Sequence, residues 1–364
     1  MKIIKVNGLT PIQSGMLFQY MLSNDKSSYM GTEIFELEGN INSDIFKSVL
    51  EKISDEYEVF RTNVIYDKID VPKSVVIDKR TIPFEFHKAV TDEEIKLLTY
   101  KINAEQFEKG FDIQRDSLIR LDLIVGENSS VIIFSFHHIL MDGYCAAMIA
   151  DIIMKNYGKL LGRQIENDGE YVPFSAYQDW IIIQDMSQSR EYWHEYLKDI
   201  SPVQPLELIQ FGSDRKKDVG HSSLTVEFTP SETKELLSAA AAGNATLNIY
   251  MQWLWGITLC RNFSCDKAVF GTVVSYRPAE FSNAERVLGP MINTVPVVFE
   301  CSSDIKITEQ LNAFRRSFLD SMEHSWIGLG EISKAVEDCK NLIDHLFVYD
   351  NFPEMDFGSI KENT

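Results

Sequence analysis

The stretch FSFHHILMDGYC, Phe134–Cys145, sets two adjacent histidines a few residues ahead of an Asp-Gly pair. The apolar run SSVIIFSF overlaps its start and predicts a buried strand, while AAMIADIIM follows it and predicts a helix. Successive strand residues point to opposite faces, so His137 and His138 cannot both face one pocket unless the strand has already ended. We therefore expect one functional and one structural histidine where the strand meets the helix.

The Asp-Gly pair fits the same junction. Asp142 can cap the following helix, and Gly143 lets the backbone turn tightly. A metal site is not predicted, because two ligands must converge on one ion and no nearby Cys or Glu has ligand spacing. Taken alone, the stretch is better explained by a hydrogen-bonded histidine and a common turn. The complete pattern HHxxxDG between a strand and a helix favours a catalytic interpretation, since context is what confirms a motif.

Composition and charge disfavour several classes of function. The chain has 364 residues, enough for two or three domains, and is 45% hydrophobic and 24% charged, as ordinary globular proteins are. Its formal net charge of −19 argues against nucleic-acid binding, which needs clustered Lys and Arg, and against binding an anionic membrane. A local basic patch is still compatible with this charge, so anionic partners are disfavoured rather than excluded.

The number of cysteines and the lengths of the apolar segments indicate the cellular compartment. The five cysteines form no CxxC pair and no zinc spacing, and their odd number fits a reducing environment. The N-terminus MKIIKVNGLTPIQ has no apolar core long enough for a signal peptide. No run approaches the roughly 18 apolar residues of a membrane span. We therefore expect a cytoplasmic protein.

Predicted strands and helices interleave along the chain, which indicates an α/β (α+β) protein. Helices are predicted at Asp92–Lys109 and Ile307–Glu323, among others, and strands at SLTVEF and HLFVYD. The polar stretch GRQIENDGEYVP, Gly162–Pro173, is the best candidate for a linker. We therefore predict two lobes, residues 1–165 with HHxxxDG and residues 166–364.

Further stretches carry a resemblance to a known family. They are LTPIQSGMLF (Leu9–Phe18), EYEVFRTNV, YQDWIIIQ, REYWHEYL, GTVVSYRP, VLGPMINTVPV and FVYDNFP. Together with HHxxxDG and in this order, they closely resemble the motifs of condensation domains of nonribosomal peptide synthetases. The resemblance runs along the whole chain, and chance agreement of so many ordered motifs is negligible.

The resemblance implies a fold, a reaction and partners. Such domains consist of two lobes, each similar to chloramphenicol acetyltransferase, which form a V with a tunnel between them. Two peptidyl carrier proteins each deliver an acyl group on a phosphopantetheine arm, and the downstream amine attacks the upstream thioester to form a peptide bond. No intrinsic cofactor or metal is implied, since phosphopantetheine belongs to the carriers. A neighbouring adenylation domain, a monomeric state and a role in antibiotic or other secondary-metabolite biosynthesis are expected with it.

The resemblance also assigns roles within the motif. His138 is expected to accept a proton from the attacking amine or to orient that amine, and both alternatives stay open. Gly143 and the helix N-terminus after it supply backbone N–H groups for the developing oxyanion. His137 supports the loop. Asp142 pairs with an arginine, for which Arg277 is the best match and Arg61 the other candidate.

Four more residues are expected to line the substrate tunnel: Tyr144, Tyr276, Asn293 and Asn351. Tyr276 stands where the family usually has Gly, and Tyr144 where Trp is common. For the two asparagines, hydrogen bonding at a turn or strand end is an equally good explanation. Cys145 follows the motif but has no evident base of its own, so it is not expected to be a nucleophile.

Other functions fit parts of the pattern. An epimerization domain shares HHxxxDG but resembles LTPIQSGMLF less well, and a heterocyclization domain replaces HHxxxDG with an Asp-rich motif. A catalytically silent docking or recruitment module of the same fold usually lacks the second histidine, His138 here. An acyltransferase that uses free acyl-CoA is disfavoured by Gln13, Arg61 and the INT triplet. The donor and acceptor amino acids are not predicted, because specificity rests on the shape of the tunnel.

The end of the chain departs from the family. The sequence stops soon after DNFP, whereas family members continue with further strands and a helix. We therefore expect an incomplete C-terminal lobe. A chain that ends here is also expected to be less stable than a longer one, and inactive or nearly so by itself.

Overall fold

The computed structural model describes residues 2–23, 25–165, 169, 171–200, 223–302, 304–336 and 342–350. The chain forms two compact units. The first comprises Met1–Gln184 with Arg277–Ile292, and the second comprises Asp185–Tyr276 with Asn293–Asp350. A segment from the second half of the chain is therefore part of the unit that carries HHxxxDG. The lobe boundary between residues 165 and 166 stays a prediction.

Helices and strands interleave in both units. The helices are α1 Pro11–Ser23, α2 Ser43–Glu56, α3 Asp92–Lys109, α4 Gly143–Leu160, α5 Phe174–Ile182, α6 Ser187–Leu197, α7 Pro230–Ala242, α8 Leu247–Phe263, α9 Ile307–Glu323 and α10 Leu329–Ile332. The strands are β1 Ile3–Gly8, β2 Met30–Glu38, β3 Thr62–Ile65, β4 Lys73–Ile77, β5 Phe84–Lys88, β6 Ile119–Val125, β7 Ser129–His137, β8 Val172–Pro173, β9 Lys267–Ser275, β10 Val287–Leu288, β11 Ile292–Glu300 and β12 Leu346–Phe347. Across the described ranges, no helix is long and apolar enough to cross a membrane.

A four-stranded mixed sheet lies at the centre of the first unit. Its order is β2-β7-β6-β5, with β7 antiparallel to both neighbours and β5 parallel to β6. One face packs on α2 and α4 through residues such as Phe46, Phe134 and Ile149, and the other packs on α3 through Ile102 and Ile133. Because both faces are covered, SSVIIFSF is apolar on both sides of the strand and does not alternate.

Two smaller sheets complete the first unit. Strands β1, β4 and β3 form an antiparallel sheet with β4 in the middle. Strands β8 and β10 form a short parallel pair, which ties the segment Arg277–Ile292 to the chain before α5. This pairing fixes the segment beside the N-terminus of α4, where Leu288 joins the same core as Ile149.

The second unit has a sheet of order β11-β9-β12 with helices packed on it. Its core includes Trp193 of α6, Trp253 of α8 and Phe314 of α9, packed with Phe270 of β9. The indole N–H of Trp193 donates to the carbonyl of His324 at 3.0 Å, so its polar edge is satisfied although the side chain is buried.

Two predicted strands differ from the structure. Residues 223–229 form neither strand nor helix, so the prediction for SLTVEF is wrong. Leu224, Val226 and Phe228 alternate in sequence but are all exposed, and an alternating pattern makes a strand only where a neighbouring strand or core accepts it. HLFVYD contributes only Leu346–Phe347, the strand β12.

Candidate active site

The two histidines lie at the C-terminal end of strand β7. His137 is its last residue and pairs with Met30 of β2. The next residue, His138, leaves the strand, and its N–H donates to the carbonyl of Tyr29 at 2.8 Å. Because the strand ends between them, the two rings have different surroundings: His137 is fully buried and His138 is half-buried.

His137 is buried among aromatic rings. The ring centroids of Tyr20 and Phe111 lie 5.8 and 6.3 Å away, both edge-on. Its Nδ1 accepts the N–H of Ile139 at 3.0 Å, while its Nε2 has no hydrogen-bond partner among the described residues. Burial is the main cause, and the neighbouring His138 the second, of a pKa of His137 that is lowered from 6.5 to about 3. His137 is therefore neutral at physiological pH, and its lone pair is used to hold the loop.

His138 has one ring nitrogen directed at its own loop. Nδ1 lies 3.3 Å from the carbonyl oxygen of Met141. A carbonyl oxygen only accepts, so this contact favours the neutral tautomer that carries its proton on Nδ1 and its lone pair on Nε2. The edge of Phe136 packs against the ring, with centroids 5.1 Å apart and planes at 80°.

A glycine of the neighbouring strand makes room for these two rings. A Cβ on Gly31 would lie 2.7 Å from Cζ of Phe136 and 3.1 Å from Nε2 of His138. Only glycine fits this position without displacing the rings. Gly31 was not among the predicted site residues, although a glycine inside the strand pattern of YMGTEIFELEG was a signal of such close approach.

Both carboxylate oxygens of Asp142 have partners within the first unit. One oxygen, Oδ1, accepts the N–H of Cys145 at 2.9 Å and so caps α4. The other, Oδ2, accepts the N–H of Met291 at 3.0 Å and lies 3.6 Å from Nη2 of Arg277. The carboxylate is almost fully buried. Since both oxygens are held by donors, Asp142 is poorly placed to remove a proton from a substrate.

Of the two arginines considered as partners for Asp142, Arg277 faces the carboxylate. Its Nη1 also donates to the carbonyls of Ala284 and Val287, at 2.7 and 3.3 Å. Its guanidinium lies over the ring of Tyr144, with Cζ 4.3 Å from the centroid.

Arg61 makes separate contacts. Its guanidinium donates to the carbonyls of Ser54 and Ile77, at 2.6 and 2.8 Å, and to that of Asp55 at 3.2 Å. It thereby joins the last turn of α2 to the end of β4. The role of this arginine is to satisfy backbone carbonyls of the sheet and helix.

Cys145 is buried in the first turn of α4. Its thiol lies 3.0 Å from the carbonyl oxygen of Gly289 and accepts the N–H of the same residue at 3.2 Å. Burial raises the pKa of the thiol well above its ordinary value, and the nearby charge of Asp142 raises it further. A thiol that stays protonated is a weak nucleophile, which agrees with the sequence-based rejection of this residue.

The remaining predicted site residues lie at several places. Gly143 is half-buried as the first residue of α4, and Tyr144 after it is exposed. Asn293, in the second unit, is buried, and its amide donates to the carbonyls of Ser325 and Ile327, both at 2.6 Å. Tyr276 is the last residue of the second unit before the chain enters Arg277–Ile292. The predicted tunnel residue 351 lies outside the described residues.

Asn293 therefore has a clear structural role. Its two amide hydrogens hold the loop before α10, which accounts for the polar side chain in the INT triplet. From the sequence alone, hydrogen bonding and a substrate role were equally good explanations of Asn293. The structure shows the hydrogen bonds. A role in the substrate path stays a prediction for Tyr144, Tyr276, Asn293 and Asn351.

One group of potential metal-ligating side chains occurs among the described residues, on strands β5 and β6. Ligand atoms of Glu85, His87 and Asp122 lie within 4.8 Å of one another. Both oxygens of Asp122 already accept hydrogen bonds, from His87 at 3.1 Å and from Gln106 at 2.9 Å. This hydrogen bonding explains the buried carboxylate without an ion.

A comparison with protein families identifies the family of the chain. The family model described as the Condensation domain matches residues 4–364. The chain therefore belongs to the condensation-domain family of nonribosomal peptide synthetases, and the resemblance stated from the motifs is confirmed.

The curated relatives of the chain are much longer proteins. It is 31% identical over 355 residues to gramicidin S synthase 2 of Brevibacillus brevis, covering 95% of this chain and 8% of that protein. Tyrocidine synthase 2 of Brevibacillus parabrevis is 30% identical over 348 residues, with 95% of this chain and 10% of that protein covered. The chain thus spans a small fraction of the length of these relatives.

Solved structures share the fold. The first condensation domain of the calcium-dependent antibiotic synthetase, in complex with a substrate analogue, has a TM-score of 0.78 at 14% identity. The match covers 97% of this chain and 82% of that one. A four-domain nonribosomal peptide synthetase, holo-AB3403 bound to AMP and glycine, gives 0.78 at 19% identity over 98% of this chain and 27% of that one. These similarities confirm the predicted α/β fold related to chloramphenicol acetyltransferase.

Proposed function

We propose that the full-length domain to which this sequence belongs catalyses peptide-bond formation between substrates carried by two peptidyl carrier proteins. The amine of the downstream aminoacyl group attacks the thioester carbon of the upstream acyl or peptidyl group. A C–N bond forms and the C–S bond breaks. The sulfur leaves as the thiol of the upstream phosphopantetheine arm, and the amine gives up one proton in exchange. The grown chain is then held on the downstream carrier.

The observation that carries this proposal is the contrast between the two histidines. His137 is buried, and its Nδ1 lone pair accepts the N–H of Ile139. His138 is half-buried and has its proton on Nδ1, toward Met141, and its lone pair on Nε2. A neutral imidazole with a lone pair on one nitrogen is the group that can accept a hydrogen bond or a proton from an attacking amine. We assign this role to His138.

The geometry leaves two ways in which His138 can act, and both use the same lone pair. It removes the proton as the C–N bond forms, or it accepts a hydrogen bond that fixes the amine next to the thioester. Asp142 does not compete for the role of base, since its two oxygens accept from Cys145 and Met291. Gly143, at the positive end of α4, supplies a backbone N–H for the oxyanion.

The proposed function also implies partners and a compartment. The phosphopantetheine arms come from the upstream and downstream carriers. A neighbouring adenylation domain loads the downstream carrier. The reaction takes place in the cytoplasm. Support for these partners comes from the relatives, which are far longer polypeptides named as synthases of gramicidin S and tyrocidine. Tyr144, Tyr276, Asn293 and Asn351 are proposed to lie along the path of the two arms.

The test uses the longest natural polypeptide that contains this sequence. It is incubated with a donor carrier and an acceptor carrier, each loaded with one member of a panel of L-aminoacyl groups. Intact-protein mass spectrometry then follows the acceptor. We expect the acceptor to gain the mass of the donor acyl group. An unchanged acceptor with every pair would contradict the proposal.

The same assay separates the alternatives. An epimerization domain would exchange the α-hydrogen of a single loaded carrier in deuterated water and would leave the acceptor mass unchanged. A silent docking module would give neither signal, while still binding a carrier. Transfer to the acceptor distinguishes a condensation enzyme from both.

A further inference from the structure

The residue directly after His138 has both of its backbone polar groups held by buried side chains. The N–H of Ile139 donates to Nδ1 of His137 at 3.0 Å, and its carbonyl accepts from Nε2 of Gln13 at 2.8 Å. Both side chains are fully buried. The two peptide groups that flank Ile139, the first of which follows His138, are therefore both held by side chains, one of them from a helix that lies far away in sequence.

The amide of Gln13 can point only one way. Its oxygen Oε1 accepts the N–H of Thr10 at 3.1 Å and the amide N–H of Gln178 at 2.9 Å. The first of these bonds belongs to the capping box T-P-I-Q at the start of α1, since Oγ1 of Thr10 lies 3.4 Å from the N–H of Gln13. With Oε1 engaged twice, Nε2 must face the carbonyl of Ile139.

Gln178, on α5, forms a hydrogen bond with Gln13. Its Nε2 donates both to Gln13 and to the carbonyl of Gly8, at 2.9 and 3.0 Å, and its side chain is buried. The chain of bonds thus runs from Gly8 through Gln178 and Gln13 to Ile139. All of its members belong to the first unit, and it joins the motif regions LTPIQ, YQDW and HHxxxDG.

We propose that Gln13 is a positioning residue for His138, with Gln178 as its support. This inference rests on the proposed function, because it concerns the histidine to which the chemistry is assigned. Removal of the Gln13 amide leaves the buried carbonyl of Ile139 without a donor, and such a group shifts to find one. The shift turns the loop between His138 and Met141, which carries the carbonyl that fixes the tautomer of His138.

The first variant is Gln13→Met, which keeps the length of the side chain and removes both the donor and the acceptor of its amide. We expect a loss in kcat of roughly 10²-fold, the effect of a misplacement of about 1 Å. The KM for the acceptor carrier stays unchanged, since Gln13 is buried. The ring signals of His138, identified as those missing from the His138→Ala spectrum, lose the pattern of the Nδ1–H tautomer in nitrogen-15 NMR.

Two matched controls separate positioning from ordinary stability. Gln310→Met removes a buried amide that donates to a backbone carbonyl in the second unit, that of Glu300 at 3.3 Å. Glu232→Met removes the capping box of α7, formed with Thr229. Both are expected to lower the melting temperature while leaving the His138 signals and kcat as they are.

A second variant keeps the test decisive if Gln13→Met does not fold. Gln178→Met removes the support behind Gln13 but leaves the bond from Gln13 to Ile139, so a smaller change of the His138 signals is expected. Unchanged His138 signals in a folded Gln13→Met protein, or in Gln178→Met if only that variant folds, would overturn the inference. The NMR result does not depend on turnover. If the unsubstituted protein transfers nothing, the proposed function fails, and the ring signals still decide the role of Gln13.

Discussion

Asp142 and Arg277 face each other across 3.6 Å in the interior of the first unit, although 135 residues separate them in sequence (277 − 142). The carboxylate caps α4, and the guanidinium holds the carbonyls of Ala284 and Val287. The pair therefore connects the loop that carries His138 to the segment Arg277–Ile292. Because both partners also hold backbone groups, we predict that the pair belongs to the scaffold rather than to the chemistry.

Asp142→Ala is expected to lower the free energy of unfolding by about 3–5 kcal/mol, as does the loss of one partner from a buried ion pair. The substitution removes the cap of α4, the acceptor for Met291 and the only carboxylate facing Arg277 among the described contacts. Urea unfolding of the purified protein measures the change. Transfer activity falls with it.

A cap elsewhere in the same unit isolates the contribution of the pair. Asn42 caps α2 and accepts from Asp44 and Ile45, with no cation in the contact, so Asn42→Ala is expected to lose about 1 kcal/mol. If Asp142→Ala unfolds like the unsubstituted protein while Asp142→Asn is inactive, Asp142 is catalytic and the structural assignment is wrong.

The stability of the fold is expected to depend on pH through His137. Its pKa is about 3 in the folded protein against 6.5 in the unfolded chain, so the unfolded chain binds the proton more readily. The stabilisation is complete above pH 6.5 and is lost as the pH falls from there toward 3, by about 1.4 kcal/mol per pH unit from this group. Urea unfolding at pH 7.5 and pH 5 measures the loss.

The His137→Gln variant lacks this titrating group. Its free energy of unfolding at pH 7.5 is expected to be lower than that of the unsubstituted protein, but to fall less between pH 7.5 and pH 5. His194 is exposed on α6, and His194→Gln serves as the control that removes a histidine outside the core. An identical pH dependence in the His137→Gln protein would contradict the neutral, buried state assigned to His137.

Cys145 is expected to be inert in the folded protein. Its thiol is buried and its pKa is raised, whereas Cys265 and Cys301 are partly exposed. Iodoacetamide at pH 8, followed by peptide mapping, should label those two cysteines first and Cys145 only after unfolding in urea. Alkylation of Cys145 at the rate of Cys265 in the native protein would show that its thiolate is accessible.

Much of the fold was predictable because its signals are local. The helices Asp92–Lys109 and Ile307–Glu323 have the predicted bounds, since apolar spacing and flanking residues act within a few turns. The strand prediction for SLTVEF is wrong because strand formation does not depend on local sequence alone. The alternation of SLTVEF is local, but a strand needs a partner elsewhere in the chain, which the pattern does not reveal.

The site was predictable in part. The different surroundings of His137 and His138 follow from the end of a strand, which the sequence marks. The contacts of Asp142 with Met291, 149 residues away, and of Gln13 with Ile139, 126 residues away, depend on tertiary packing, and no local pattern encodes them. The pairing with Arg277 was anticipated only through resemblance to the family.

The most direct test of the account is the rate of acyl transfer between carriers in the His138→Ala protein. Intact-protein mass spectrometry gives the rate, and melting curves show that the fold is kept. We expect a loss of about 10²–10⁴-fold, the usual contribution of a general base or orienting group, with a melting temperature near that of the unsubstituted protein. The exposed His194→Ala variant should transfer at the full rate. A His138→Ala protein that is folded and transfers at the full rate would contradict the central claim that the lone pair of His138 promotes the attack of the amine.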